Sequence, residues 1–169
     1  MKTGVIDFAV FEDGKEYLGT ANVQLPDITQ KVIGVSAVGL GGDIEIPTGK
    51  VDAMSVTINF ETVTPAASQL TTMRTHMIEL RVAHQDYDRK TGSTSPAGVK
   101  YVMRVMPKTE TLGQVQAASP QAVSGEYALH AIKIFHGNDL VRHVDPINNI
   151  NWDKDNGNLL AGYQKILGK

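Results

Sequence analysis

The stretch MSVTINF, residues 54–60, constrains the fold more than any other part of the chain. Met54, Val56, Ile58 and Phe60 alternate with Ser55, Thr57 and Asn59. A period of two marks a strand with one buried and one wet face. The run 77–84 repeats the pattern, with Ile78, Leu80 and Val82 opposite Glu79 and Arg81. In VKYVMRVM (99–106), Val99, Tyr101, Met103 and Val105 share a side, and Lys100 and Arg104 take the other. EYALHAIKIF (126–135) is apolar on both faces, which predicts a central strand. After the turn HGND, LVRHVD (140–145) can return antiparallel as a hairpin. VIDFAVF (5–11) and ITQKVIGVSAVG (28–39) are further strand candidates, separated by the Asp13-Gly14 turn and the breaker Leu25-Pro26-Asp27.

Two helices fit what remains. TPAASQLTTMR offers Thr64 as N-cap, Pro65 in the first turn, and Leu70 and Met73 at helical spacing. Near the end, Asn158 can cap LLAGYQKIL, where Leu159, Leu160, Tyr163, Ile166 and Leu167 form one apolar stripe before Gly168. The expectation is a mainly β fold of about seven or eight strands with one or two short helices, built as a two-sheet sandwich or partly closed barrel. At 169 residues the chain has the size of one domain, 1–169, with an extended loop at about 38–52.

That loop, VGLGGDIEIPTGKVD, clusters glycines ahead of Gly49-Lys50 and so invites comparison with a phosphate cradle. The spacing fails. A P-loop needs a glycine where Ile44 stands and a hydroxyl where Val51 stands. A dinucleotide fingerprint started from Gly39 and Gly41 also falls on Ile44, with no long helix pattern after it.

Other chemistry fares no better. The five histidines, His76, His84, His130, His136 and His143, form no close ligand pair. His130 and His136 share a strand and a face but sit about 20 Å apart. The histidines are therefore expected at the surface or facing a lumen. DYDRKTG imitates a calcium loop at Asp86 and Asp88, but Lys90 occupies a ligand position. DKDNGN (153–158) has its glycine one place early, and both stretches read as solvated turns. No G-x-S-x-G elbow occurs, and the chain has no cysteine for thiolate chemistry or disulfides. Glu12-Asp13 is expected at an exposed turn tip. No catalytic, cofactor-binding or metal residues are expected.

A formal net charge of −2 argues against a chain whose task is to grip nucleic acid. The longest uncharged apolar run, 32–42, falls short of the ~20 residues a spanning helix needs. Asp7, Glu12 and Asp13 interrupt any signal-peptide core, so a soluble, unsecreted protein is expected. Long strands in a small domain leave edges to manage, and pairing with another copy is one solution. Ile44 and Ile46 alternate with Asp43 and Glu45, so 38–52 is either such a self-pairing strand or an ordinary hairpin loop. If the two joined patches differ, the interface is heterologous and can close into a ring.

Several segments resemble a known family. FEDGKEYLGTANVQLPDIT (11–29) resembles the opening of the major tail tube proteins of contractile-tailed phages, an F-x-DG-x-x-x-x-G hairpin followed by LP-x-(I/L). The region 39–47 is similar to that family's glycine-containing loop, followed, as here, by an alternating strand. VRHVDPINNI (141–150) is similar to a (V/I)-D-(P/T)-(I/V)-N motif, and LLAGYQKILG to a closing L-x-x-x-R-x-x-LG with Lys165 at the arginine. The stretch DYDRKTGSTSPAG and the connection 109–121 have no close counterpart.

The resemblance implies a tail-tube fold akin to type VI tubes, in which six copies form a ring. Rings would stack as the inner tube of a contractile phage tail or phage-tail-like bacteriocin, assembled in the host cytoplasm. Its partners would be further copies, the sheath, the tape measure, the baseplate and the terminator. DNA would pass without specific binding, and the chain would insert into no membrane by itself. Gly39, Gly41, Gly42, Asp43, Ile44, Glu45 and Ile46 are then the candidate subunit-interface loop. The rival reading is a monomeric β-barrel that binds a small ligand.

Overall fold

The structure, a computed structural model, describes residues 2–16, 19–36, 39 and 41–168. The strands are β1 (Lys2–Glu12), β2 (Lys15–Glu16), β3 (Thr20–Gln24), β4 (Gln30–Val35), β5 (Ile44–Val51), β6 (Met54–Phe60), β7 (His76–Tyr87), β8 (Thr94–Thr111), β9 (Val123–His136), β10 (Asp139–Asp145), β11 (Ile150–Asp153) and β12 (Gly157–Asn158). The helices are α1 (Pro65–Leu70) and α2 (Ala161–Ile166). The strands outnumber the expected seven or eight because β2, β3, β11 and β12 are too short to show a period of two.

The main sheet runs β12-β11-β10-β9-β8-β7-β1-β2 without closing, and it forks at β9. One edge of β9 pairs with β8 along almost its whole length. The other edge is shared: β6 takes the half from Val123 to Leu129, and β10 takes the half from Ile132 to His136. β3 extends the β6 branch. Alternating β6 packs its apolar face, with Val56 and Ile58 fully buried, against Ile78, Met103, Val105 and Tyr127 from the long strands. This open arrangement agrees with the expected mainly β fold with one or two short helices, and the sheet does not close into a barrel.

The fork has a local cause. Arg104 pairs with Ala131 and Val105 with Leu129, so His130 is an extra residue in β9. Such a bulge bends the strand and resets the alternation of its side chains. Tyr127 and Leu129 are buried before it, Ile132 after it. EYALHAIKIF looks apolar on both faces partly because its phase shifts in the middle. The same shift removes the premise that His130 and His136 share a face.

Helix α1 starts as expected, with the Thr64 hydroxyl accepting the Ala67 N–H at 3.1 Å and Pro65 in the first turn. Ala67 and Leu70 are buried, but Met73 lies beyond the helix and is exposed. The DG turn is also as expected. Asp13 (φ 49°) and Gly14 (φ 77°) form a two-residue hairpin between Glu12 and Lys15, the geometry that Asp-Gly favours. Tyr17 and Leu18, in the same motif, lie outside the described residues.

Two readings are corrected here. His76 is wholly buried and not at a surface, and Glu12 is buried, not part of an exposed turn tip. Their atoms Nδ1 and Oε1 lie 2.5 Å apart. His76 Nε2 donates to the Thr72 carbonyl at 2.9 Å, and Arg74 reaches Glu12 Oε1 at 3.2 Å. The reason is strand parity: Val10 and Glu12 share the inward face of β1, and the turn begins one residue later. Glu12→Ala leaves a nitrogen of buried His76 without its carboxylate partner, and is expected to cost about 1–3 kcal/mol in urea denaturation. Asp13→Asn, which tolerates the left-handed backbone, should stay within about 0.5 kcal/mol of wild type.

Candidate functional site

β4 and β5 pair only with each other, forming a two-stranded arm separate from the main sheet. Val35 faces Ile44, and Ile33 faces Ile46. The tip spans residues 36–43, of which Ala37, Val38 and Leu40 lie outside the described residues. Gly39 (φ 101°) occupies backbone territory that side chains disfavour. It shares the tip with Gly41, Gly42 and Asp43, while Ile44, Glu45 and Ile46 open strand β5. Thus much of the stretch 38–52 is a strand paired within its own chain. On this arm Val32, Ile33, Ile44 and Ile46 are 46–58% exposed.

The arm is fastened at its root. Between the pairs Gln30–Val51 and Val32–Pro47, three residues of β5 oppose Lys31 alone. Thr48 Oγ1 donates to the Lys31 carbonyl at 2.8 Å across this bulge. Gly49 within it has φ 78°, and a Cβ there would lie 3.3 Å from Leu160 Cδ2 and 3.5 Å from Leu159 Cβ. The Gly49 carbonyl accepts from Asn151 Nδ2 at 2.6 Å, and Asn151 Oδ1 accepts from Arg142 at 2.7 Å. Asn151 is buried, with its polar atoms satisfied on both sides. The Gly-Lys pair that resembled a phosphate cradle is therefore where the arm docks on the body.

Asp145 steadies the neighbouring turn. Its carboxylate accepts from the Asn148 backbone at 3.2 Å and the Asn148 side chain at 2.7 Å, and Arg104 reaches both oxygens. Burial alone pushes the carboxyl's pKa up, but the Asn148 hydrogen bonds and the Arg104 and His143 charges outweigh it, leaving it below the ordinary value. This is the physical content of VDPINN: an aspartate that turns β10 into β11 and ties the turn to β8.

Helix α2 departs from expectation. Asn158 sits in β12, where its Oδ1 accepts from the Asn151 and Leu160 backbones at 3.1 and 3.2 Å. The helix begins only at Ala161, without a side-chain cap. Of the anticipated stripe, Leu160 alone is buried; Tyr163, Ile166 and Leu167 are 61%, 84% and 69% exposed. The stripe exists, but it faces away from the core. Between it and the arm lies an open groove of about 660 Å³, with Leu160, Tyr163 and Leu167 on one side and Val32 and Ile33 on the other.

The calcium-like stretches are turns held by their own carboxylates. Asp88 accepts the Lys90 N–H at 2.9 Å, and Asp153 accepts those of Asp155 and Asn156 at 3.0 and 2.7 Å. These bonds hold both carboxyls below their usual range. Among the described residues no three of His, Asp and Glu gather as a metal site.

The family model for phage tail tube protein FII matches residues 2–168. The chain belongs to that family, and it is accordingly a structural tail tube protein, not an enzyme. No curated protein matches it by sequence. In fold it is similar to a chain of the sheath/tube terminator of the PVC extracellular contractile injection system, with TM-score 0.56 and 12% identity over 78% of this chain and 95% of that one. A chain of the same system's extended sheath-tube complex gives TM-score 0.55 and 12% identity over 76% of this chain and 88% of that one.

Two measurements test the site's construction. Gly49→Ala strains a left-handed position and is expected to cost about 1–2 kcal/mol and to speed amide exchange along residues 44–51. Gly42→Ala, with open space around it, should stay within about 0.5 kcal/mol. Because the folded-state pKa of Asp145 is lowered, its stabilising contribution is complete above the ordinary carboxylate range and is lost as pH falls through the folded value. The stability gap between wild type and Asp145→Asn, from urea midpoints, should narrow from about pH 5 downward. A constant gap would contradict this.

Proposed function

We propose that copies of this chain join through the arm, residues Gly39, Gly41, Gly42, Asp43, Ile44, Glu45 and Ile46, into six-membered rings. On this reading residues 1–169 act as one tail tube domain. The rings stack as the inner tube of a contractile particle, inside a sheath and between a baseplate and a terminator. The finished tube houses a tape measure and then passes DNA without gripping it.

The observation that supports this reading is the arm. It projects a two-stranded ribbon with four exposed Val and Ile side chains from a body that anchors its root through Gly49 and Asn151. Such an arm wastes apolar surface in a monomer and gains by burying it against another copy. The exposed edges of the unclosed sheet are further places where copies can pair. A near-neutral chain suits a conduit, since a basic lining would release counterions and hold the duplex.

The rival ligand-binding reading finds less support. Val56, Ile58, Leu70, Ile78, Met103 and Val105 fill the interior at 0% exposure. The pocket beside α1, near Phe60 and Tyr127, holds about 180 Å³, below the size of ordinary ligand sites, and the larger groove of about 660 Å³ is an open channel outside this filled core.

Electron microscopy of the concentrated protein, and of particles assembled with sheath and baseplate, should show hollow six-fold cylinders containing this chain. Its absence from the central channel would refute the reading. Ile44→Asp with Ile46→Asp should abolish rings while changing monomer stability by no more than about 0.5 kcal/mol, because both positions are solvent-facing.

A further inference from the structure

We infer that the arm tip of one copy docks into the groove between the arm root and α2 of a second copy, its Asp43-Ile44-Glu45-Ile46 segment meeting the groove's apolar walls and lysine rim. This deepens the tube reading and rests on it, since it presumes that copies associate.

The groove and the segment match in two independent respects. Leu160, Tyr163 and Leu167 face Val32 and Ile33 across an open channel. Ile44 and Ile46 are apolar side chains at alternate positions of one strand, hence on one face and about 7 Å apart. They are 46% and 49% exposed, and Tyr163 and Leu167 more so. Both surfaces leave apolar area in water that mutual contact would remove.

Charge agrees with shape. Lys31 and Lys50 line the same groove. The segment carries Asp43 and Glu45 on the face opposite its isoleucines. With the isoleucines seated inward, long lysine side chains at the rim can reach up to the carboxylates. The acid nearest these lysines in this copy is Asp52, 3.8 Å from Lys31 with both side chains more than half exposed. A pair so exposed is weak, and Lys31 can engage a second carboxylate.

Within this copy Ile44 and Ile46 are held in β5 opposite Val35 and Ile33, exposed and not among the residues that line the groove, so the occupant is another copy. Segment and groove are different patches, which makes the contact head-to-tail: each copy offers a tip and receives one.

The native chain has no cysteine, so engineered ones report contacts without background. Full-length Ile44→Cys chains are mixed with full-length Tyr163→Cys chains and oxidised mildly at concentrations up to those of the tubes. A mixed Ile44→Cys to Tyr163→Cys dimer is expected, because a disulfide forms only when Cα atoms come within about 7 Å. Chains carrying both cysteines should give a ladder of multimers.

Adding K31E and K50E to the Tyr163→Cys chain should lower the mixed cross-link several-fold, and adding D43K and E45K to its partner should restore it. Each alternative outcome is decisive. Predominant Ile44→Cys homodimers would mean that arms pair with each other, and would overturn the docking. Rings or tubes without the mixed cross-link would overturn it and leave the tube reading standing. Chains that stay monomeric and uncross-linked would remove both. A cross-link indifferent to the charge changes would overturn the lysine–carboxylate pairing.

Discussion

The rest of the structure depends on β9 having to satisfy two neighbours along one edge. Its hydrogen-bonding groups toward β6 and toward β10 belong to one strand, and the bulge at His130 lets that strand bend so each branch takes half. Met54, at the start of β6, pairs with Leu129, and Val144, near the end of β10, pairs with Ile132. The chain entering β6 and the chain leaving β10 therefore emerge at the same place, beside the fork. The first of these is the arm root, and the second leads through the Asp145 turn and β11 to α2. The groove lies between them because the fork brings them together.

Polar groups hold this junction and one other. Asn151 joins Gly49 to Arg142; Asp145 joins Arg104 to Asn148; Glu12 joins His76 to Arg74. Buried polar and ionic groups contribute little net stability compared with apolar residues of similar size, but each is costly to leave half-satisfied. They therefore set geometry more than they add cohesion. In this chain two of the three lie where the arm meets the body, the place where a loose angle would misdirect anything the arm touches.

The regular strands were legible because alternation survives wherever one face meets the core and the other meets water. Met54 to Phe60 shows it without exception, and the strands around Ile78 and Met103 follow. The arm was legible only in part: Ile44 and Ile46 alternate with Asp43 and Glu45, but because both isoleucines are exposed, no burial pattern separates a self-pairing edge from an ordinary hairpin. Strand β9 was legible as a central strand, but the bulge inside it breaks the expectation that His130 and His136 share a face. Asp13-Gly14 and Thr64-Pro65 could be read as a turn and a cap because each acts on backbone within three positions, and such short spacing leaves a local trace. His76 with Glu12, and Asn151 with Gly49, are 64 and 102 residues apart, and nothing local announces them. Gly49 does carry a signal, a glycine before lysine in a stretch rich in branched residues, but what it marks is a backbone bulge and not a phosphate cradle.

By itself the sequence determined the class of fold and places where the chain turns, and it carries no cysteine, no P-loop spacing and no close histidine pair. Those properties follow from side-chain type and short spacing, which a linear chain displays. Only tertiary structure decided which apolar residues stay in water. The stripe of α2 and the isoleucines of β5 have the composition of a core, yet both lie outside it. The reason is volume: the core is already filled by side chains of β6, α1 and the long strands, so further apolar surface could only be placed outside.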